Sequence, residues 1–174
     1  MNPFGLTKIV VALAGVAMLT ACGQEDQAAA PADTPDVAEA TAEVSDEIKT
    51  QIEARQAQYK KIGGAFKTIN DNLKSGSPDM AAIQAAAATV VEAGAGMGDW
   101  FPEGTGPESG IKTEALPAIW ENRADFDTKV AAFQAAAANL KTVADGGDAA
   151  AVGPAFGATG GTCKGCHDNF RLDD

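Results

Sequence analysis

Apolar residues recur along most of this chain at alternating spacings of three and four positions, the period of an α-helix that packs in a bundle. Four segments show the pattern, and Gly, Pro, Ser or Asp residues separate them. The first segment begins at Ser45 and stops before residues 76–78, and the second begins at Ser77 or Asp79 and stops in the glycines of residues 94–98. The third begins near Glu114 or after Pro117 and stops at residues 146–147. The fourth begins at Asp148 and includes Phe170. We therefore predict four helices.

The connections between these helices are short or moderate, and no segment shows the period-two alternation of a β-strand. Together these features predict an all-α fold, an antiparallel four-helix bundle. Residues 100–113 are rich in Gly and Pro and are expected to form a structured loop between the second and third helices. Gly94 falls on the apolar face of the second helix without a side chain to pack, so we expect that face to be weakest there.

The N-terminal residues have the pattern of an export signal and not of a bundle helix. Residues 1–21 contain one lysine, Lys8, which is followed by an uncharged apolar run from Ile9 to Ala21. This run is short for a membrane span, which needs about 20 residues, but it suits the apolar region of a cleaved secretory signal. We predict that residues 1–21 are removed as a signal peptide.

The end of this signal, LTAC at residues 19–22, resembles the bacterial lipobox, in which a peptidase cuts before a cysteine that carries lipid. The resemblance implies that Cys22 is a lipidated N-terminus; the alternative is an ordinary signal with an incidental cysteine. Residues 22–45 are acidic, rich in Ala and Pro and free of aromatic side chains, which is the composition of a disordered linker. The bundle domain is then expected to occupy residues 46–174.

Charge limits the partners of the folded part. Lys8 leaves with the signal and six acids lie in the linker, so the 13 basic and 24 acidic residues of the whole chain become 12 and 18 in residues 46–174. A domain with this acidic excess lacks the basic surface that binds phosphates. We therefore expect no nucleic-acid partner.

The one histidine of the chain follows a Cys-x-x-Cys pair in the sequence CKGCH, where Cys163, Cys166 and His167 fall on one side of the fourth helix. A zinc site needs a fourth ligand, and residues 46–174 contain no further Cys or His. A thioredoxin-like redox pair is expected at the start of a helix in a βαβ context, whereas this pair lies near the end of a helix in an all-α chain. Covalent attachment of a c-type haem uses all three side chains, two thiols for the vinyl groups and the imidazole for the iron. Haem attachment also agrees with export; a disulfide or an accidental match is the remaining alternative.

With this motif at the C-terminal end of the last of four helices, residues 46–174 resemble the cytochrome c prime family, the four-helix-bundle class of c-type cytochromes. Four stretches carry the resemblance: ARQAQYKKIGGAF in the first helix, WFPEGTG in the loop, ALPAIWENRADF at the start of the third helix and CKGCHDNFR in the fourth. The signal and the linker are not part of it. The resemblance implies one covalently bound haem c.

The resemblance also implies roles for individual residues. It implies that Cys163 and Cys166 carry the haem through thioether bonds and that His167 is an axial ligand of the iron. It places Arg171 near the exposed proximal haem face, although a cation is also favourable at any helix C-terminus. Arg55 matches an arginine associated with a haem propionate, which would give this charge on an apolar helix face the partner it needs.

Two aromatic residues match the distal side of the haem in that family. Tyr59, one turn after Arg55, corresponds to the position over the distal face, and Phe101 corresponds to an aromatic residue that lines the same pocket. At helical spacing, aromatic residues are also ordinary members of a bundle core. Trp100 and Trp120 are interpreted as packing residues.

The function implied by the resemblance is gas binding without catalytic turnover. One protein ligand on the iron leaves a vacant, crowded distal face that suits nitric oxide and carbon monoxide, and electron transfer with an unknown redox partner is the companion role. The alternative is a low-spin electron-transfer cytochrome of the same bundle class, whose iron takes a methionine; the first helix contains no methionine. A haem peroxidase would need a distal histidine to move protons, and the single histidine is already used.

The sequence leaves open whether the bundle forms a homodimer, but it predicts the location of the protein. A c-type haem is attached outside the cytoplasm. Lipid on Cys22 would hold the protein on a membrane through its N-terminus. We therefore expect a lipid-anchored protein of the bacterial cell envelope that faces the periplasm.

Overall fold

The computed structural model describes residues 37–172, with side chains from Ser45 onward. This part of the chain forms four long helices and one short one: α1 (Val37–Lys74), α2 (Met80–Gly94), α3 (Ala118–Glu121), α4 (Arg123–Asp145) and α5 (Ala149–Phe170). Two short 3-10 turns, Met97–Asp99 and Pro107–Ser109, lie in the loop between α2 and α3. The prediction of an all-α four-helix bundle is confirmed. The predicted signal peptide and Cys22 lie outside the described residues.

The first helix begins earlier than the sequence pattern predicts. We expected it to begin at Ser45, whereas α1 begins at Val37, inside the segment interpreted as a disordered linker. The reason is local composition, because VAEATAEV is rich in Ala and Glu, which favour helix even without an apolar face to bury. The remainder of the predicted linker, residues 22–36, lies outside the part of the chain that the structure describes.

Aspartate side chains cap two helices where the sequence predicted caps. The carboxylate of Asp79 accepts a hydrogen bond of 3.1 Å from the backbone N–H of Ala82 at the start of α2. The carboxylate of Asp148 accepts one of 2.9 Å from the backbone N–H of Ala150 at the start of α5. Each bond satisfies an amide that has no partner within its helix. Of the two residues considered for α2, Asp79 and not Ser77 is the cap.

The third predicted helix is divided in two. The short helix α3 begins after Pro117, and the backbone at Asn122 leaves helical geometry with φ −124° and ψ 47°. Helix α4 then begins at Arg123. Residues 121–125, ENRAD, contain no Gly or Pro to mark the break, which is why sequence reasoning predicted one helix. The break places the first turn of α4 beside the loop that precedes α3.

The four long helices do not all contact their neighbours to the same extent. Helix α1 packs mainly against α2, α2 against α4, and α4 against α5, whereas α1 and α5 make few backbone contacts with each other. Residues 80–99 form the one stretch between residues 37 and 172 that is apolar and long enough to cross a membrane by length and composition alone, a test that the core helix of a bundle also passes. Its residues Ile83, Ala87 and Val90 are fully buried, so we assign it to the core.

Gly94 has a packing role that the sequence pattern did not predict. A Cβ atom at this position would stand 2.6 Å from Cε1 of Phe133, far inside van der Waals contact. Phe133 is 4% exposed and occupies the space that a side chain at Gly94 would need. The expectation that α2 is weakest at Gly94 is therefore wrong, because the missing side chain lets α2 and α4 approach closely.

The end of α5 is joined to the segment that leads into α3. Ala115 and Arg171 form an isolated antiparallel bridge. The backbone N–H of Leu116 donates to the carbonyl of Phe170 at 3.0 Å, and the N–H of Leu172 donates to the carbonyl of Glu114 at 2.8 Å. These bonds fix the last turn of α5 to the loop region of the bundle.

Candidate haem-binding site

Helix α5 presents the three side chains of the CKGCH motif together. Cys163 and Cys166 are both free thiols, and both are half-buried against the core. His167 is half-buried as well. Spacings of three and four residues put such side chains on one face of a helix. The structure therefore brings together the thiols and the imidazole as the sequence predicted.

The surroundings hold these groups in their neutral forms at neutral pH. Burial raises the pKa of the Cys163 thiol. Burial also raises the pKa of the Cys166 thiol, and charge on Cys163 raises it further, against a lowering by Lys129. The pKa of His167 is lowered, first by burial and then by the positive charge of Arg171. A neutral imidazole is the form that ligates a metal.

Tyr59 of α1 packs against the same core as the two thiols of α5. Burial raises the pKa of its phenol, and negative charge on Cys166 and on Cys163 acts in the same direction. The ring of Tyr59 meets the ring of Trp100 edge to face, with centroids 5.2 Å apart and an interplanar angle of 86°. Tyr59 and the two thiols are therefore half-buried residues of two helices, α1 and α5, that make few backbone contacts with each other.

Arg55 is buried, with 3% of its surface exposed, and its partners come from the loop. Its Nη1 donates to Thr105 Oγ1 at 2.9 Å, and its Nη2 donates to Thr105 O at 2.7 Å and to Thr113 Oγ1 at 2.8 Å. The guanidinium carbon also lies 4.6 Å from the centroid of the Phe101 ring. Sequence reasoning expected a buried partner for this charge and did not find Thr105 and Thr113, because they lie far from Arg55 along the chain.

The charge of Arg55 is nevertheless not neutralised by an ion pair. Within residues 45–172 no carboxylate lies within salt-bridge distance of its guanidinium. Burial lowers the pKa of Arg55, while Tyr59 and Glu108 act to raise it. Neutral acceptors satisfy its hydrogen bonds, yet a buried cation gains further from a nearby negative charge. A carboxylate brought by a ligand could supply that charge.

The structure separates the roles of the two consecutive aromatic residues in the loop. Phe101 is 5% exposed and packs edge to face on Phe126, with centroids 5.0 Å apart. Phe126 in turn packs on Phe170 at 5.4 Å, at the end of α5. Phe101 is therefore linked to α5 through Phe126, and the aromatic residue that contacts Tyr59 is Trp100. Sequence reasoning interpreted Trp100 only as a packing residue.

Arg171 caps the end of α5 and forms an ion pair. Its Nε donates to Glu114 Oε2 at 2.7 Å, and both side chains are partly exposed. Its backbone N–H donates to the carbonyl of His167 at 3.1 Å. The bridge between residues 115 and 171 therefore places the guanidinium charge close enough to His167 to lower the pKa of the imidazole.

These groups fit a covalently attached haem better than they fit a bare metal ion. In the part of the chain that is described, no three His, Cys, Asp or Glu side chains are grouped so that they could hold a metal ion. A haem iron brings four nitrogen ligands with its porphyrin and needs only an axial ligand such as a histidine from the protein. Two half-buried thiols, a neutral imidazole, an unneutralised buried cation and a loosely packed side of the bundle suit that group. Together they define a haem protein of the c-type class.

Comparison with known proteins supports this class. The sequence model of the family described as Cytochrome C' matches residues 50–171. Cytochrome c' from Allochromatium vinosum is 38% identical over 123 residues, which cover 70% of this chain and 79% of that protein. The chain belongs to the cytochrome c' family. Proteins of this family bind haem c covalently through a cysteine motif, and this chain is a haem c protein.

Solved structures of relatives share the fold. The structure of cytochrome c' from Thermochromatium tepidum superposes with a TM-score of 0.68 at 32% identity and covers 72% of this chain and 97% of that one. A nitric oxide complex of a variant of cytochrome c prime from Alcaligenes xylosoxidans superposes with a TM-score of 0.66 at 30% identity and covers 73% and 97%. This chain thus has the same four-helix-bundle fold as these cytochromes.

Proposed function

We propose that this protein binds a small diatomic gas, nitric oxide or carbon monoxide, at a five-coordinate haem. In this proposal Cys163 and Cys166 carry the haem through thioether bonds, and the neutral imidazole of His167 is the axial ligand. Arg55, a buried cation without an ion pair in the described part of the chain, is proposed to pair with a haem carboxylate. When bound, the haem would supply an iron that can bind a diatomic gas. The side chains of α1 and of the loop decide what reaches that position.

The observation that carries this proposal is the identity of the residue at the distal position of α1 that the family resemblance indicates. That position holds Tyr59, and α1 contains no methionine or histidine. Met97 is buried in the core, and Met80 packs against the same core from α2. The raised pKa of Tyr59 keeps it a phenol at neutral pH, and a phenol is a poor ligand for ferrous iron.

The surroundings of Tyr59 favour small neutral ligands over anions or larger substrates. Tyr59 is half-buried and packs against Trp100, so a ligand enters between apolar rings. The nitric oxide complex of the Alcaligenes xylosoxidans relative supports this class of ligand. A peroxidase would need a distal acid–base group, and a neutral phenol with a raised pKa is a poor one. We therefore propose binding of the gas without turnover.

The first test is an optical spectrum of the purified protein with ferrous haem. We expect a five-coordinate, high-spin spectrum near neutral pH, which changes to a six-coordinate form when carbon monoxide is added. The reason is that Tyr59 cannot replace a methionine as sixth ligand. A sharp low-spin ferrous spectrum before gas is added would contradict the proposal, and it would favour the alternative, an electron-transfer cytochrome of the same bundle class.

The location of the protein is a second proposal, based on the sequence of its N-terminus. We infer that Cys22 carries lipid and holds the bundle on a membrane of the cell envelope, on its periplasmic side. A C22S variant should move from the membrane fraction to the soluble fraction, because each buried methylene of an acyl chain contributes about 0.8 kcal/mol to membrane binding. Equal membrane retention of the variant and the parent would exclude this anchor.

A further inference from the structure

The loop between α2 and α3 is held by arginines from two different helices. Its carbonyl groups have few partners within a helix, so other donors must satisfy them. Arg55 of α1 donates to the carbonyl of Trp100 at 3.4 Å. Arg123 of α4 donates through Nη1 to the carbonyl of Phe101 at 3.2 Å and through Nη2 to the carbonyl of Gly98. Two consecutive carbonyls, those of Trp100 and Phe101, are therefore fixed by two different helices.

The position of Arg123 follows from the break between α3 and α4. Because the chain leaves helical geometry at Asn122, Arg123 stands in the first turn of α4 and extends towards the loop. Its Nε donates to Asp127 Oδ1 at 2.8 Å, one turn further along the helix. Three separate nitrogens of one rigid guanidinium thus serve three acceptors, and the single nitrogen of a lysine cannot reproduce that arrangement.

The part of the loop whose carbonyls accept hydrogen bonds from the two arginines carries the aromatic ring that packs beside Tyr59. Trp100 meets Tyr59 edge to face at 5.2 Å, and Phe101 packs on Phe126 at 5.0 Å. Because the two rings belong to consecutive residues, a shift of the backbone between them moves both. The space beside Tyr59 therefore depends on where the loop holds Trp100, and Arg123 holds the backbone on both sides of that residue.

We propose that Arg123 is a positioning residue of the distal pocket, which restricts the entry of a diatomic gas by holding Trp100 against Tyr59. The inference rests on the proposed function, because it assumes that the gas binds on the side of Tyr59. Arg123 contacts the loop and its own helix, so it acts on the pocket through the loop. The sequence analysis gave Arg123 no role in the site.

The test compares the R123Q variant with the parent as complete haem proteins. Glutamine removes the charge and cannot reach both carbonyls. We expect carbon monoxide to bind ferrous R123Q about tenfold faster. The variant loses hydrogen bonds from a charged donor, which are among the stronger hydrogen bonds in proteins, so the loop that carries Trp100 is held less firmly. We also expect the backbone amide of Trp100, which donates to the carbonyl of Met97 at 3.4 Å, to exchange its hydrogen about tenfold faster, since local opening governs that rate.

The matched control is K141Q. Lys141 pairs with Asp145 on the same helix, and the exposed fractions of the Lys141 and Arg123 side chains are nearly equal, 41% and 42%. K141Q removes the same charge and a similar ion pair but leaves the loop untouched, so both rates should stay at the parental value. Parental rates in R123Q, or equal increases in R123Q and K141Q, would overturn the proposal.

The conservative variant R123K keeps the test decisive if R123Q does not fold. Lysine retains the charge and the helix pair with Asp127, but it cannot serve three acceptors from three positions. We expect carbon monoxide binding between the rates of the parent and R123Q; a parental rate in R123K would count against the proposal. A low-spin parental spectrum would refute the proposed function, while the amide exchange of Trp100 would still report whether Arg123 holds the loop.

Discussion

The parent protein should keep its haem when it is denatured and extracted with an acidified organic solvent, whereas the double variant C163S/C166S should lose all of it. A thioether bond survives unfolding, but coordination by His167 does not survive acid, because the imidazole is protonated. In the structure both thiols are half-buried against the core on α5 and form no disulfide, and their spacing of three residues puts them on one face of the helix, so both can bond to a single group. The expected change is from complete retention to complete loss. Haem absorbance in the protein fraction and in the solvent after extraction measures this change.

Two observations make this prediction specific to the CKGCH motif. The mass of the denatured parent should exceed the mass of its mature chain by one haem. The control variant C22S alters the only other cysteine of the chain and should retain its haem through the same extraction. Haem that stays with the double variant would show attachment elsewhere, and haem that leaves the parent would show that no thioether is formed.

Replacement of Tyr59 by alanine should open the distal side and speed the binding of carbon monoxide. An edge-to-face aromatic pair such as Tyr59 with Trp100 contributes about 0.5–1.5 kcal/mol beyond its buried area. About 1.4 kcal/mol in a barrier corresponds to a tenfold change in rate. Loss of this contact alone should therefore increase the association rate by up to about tenfold, and the space left by the ring should add to that increase. Flash photolysis of the carbon monoxide complex measures the rate.

The matched control for this change is Y59F, which removes the hydroxyl group and keeps the ring. Its association rate should stay close to that of the parent, because the ring that meets Trp100 edge to face is kept. The ferrous spectrum of both variants should remain five-coordinate. An association rate in Y59A equal to that of the parent would show that the gas enters elsewhere, and the gas-binding proposal would lose its principal support.

Local features of the sequence were sufficient to predict the helices. The apolar period, the capping residues Asp79 and Asp148, and the glycines after α4 each act within one or two turns, so the sequence near them carries the information. The start of α1 at Val37 and the break at Asn122 were missed. At Val37 intrinsic helix preference prevailed over polar composition. At Asn122 no Gly or Pro marks the break, and the contacts of Arg123 with the preceding loop are not encoded locally.

The candidate site was predictable only where its residues form a motif. Cys163, Cys166 and His167 lie within one short stretch, and the structure groups them on one side of α5. The partners of Arg55 and the arginine that holds Gly98 and Phe101 were not predictable, because these hydrogen bonds join residues from different parts of the chain. No periodic pattern encodes a loop carbonyl as the acceptor for a distant side chain.

The loose packing between α1 and α5 also has a consequence for the order in which the bundle assembles. The three well-packed interfaces join helices that follow one another along the chain, apart from the short α3, whereas the fourth joins the first long helix to the last. Bringing distant segments together costs more chain entropy, and topologies rich in local contacts fold faster. The interface with the slowest closure is thus the one with the fewest backbone contacts, although Phe66 of α1 and Phe156 of α5 do meet there with ring centroids 5.0 Å apart. We therefore expect the chain without haem to collapse rapidly through its three local interfaces and to leave the contact between α1 and α5 to form last, so that the group attached to α5 becomes the template on which this interface closes.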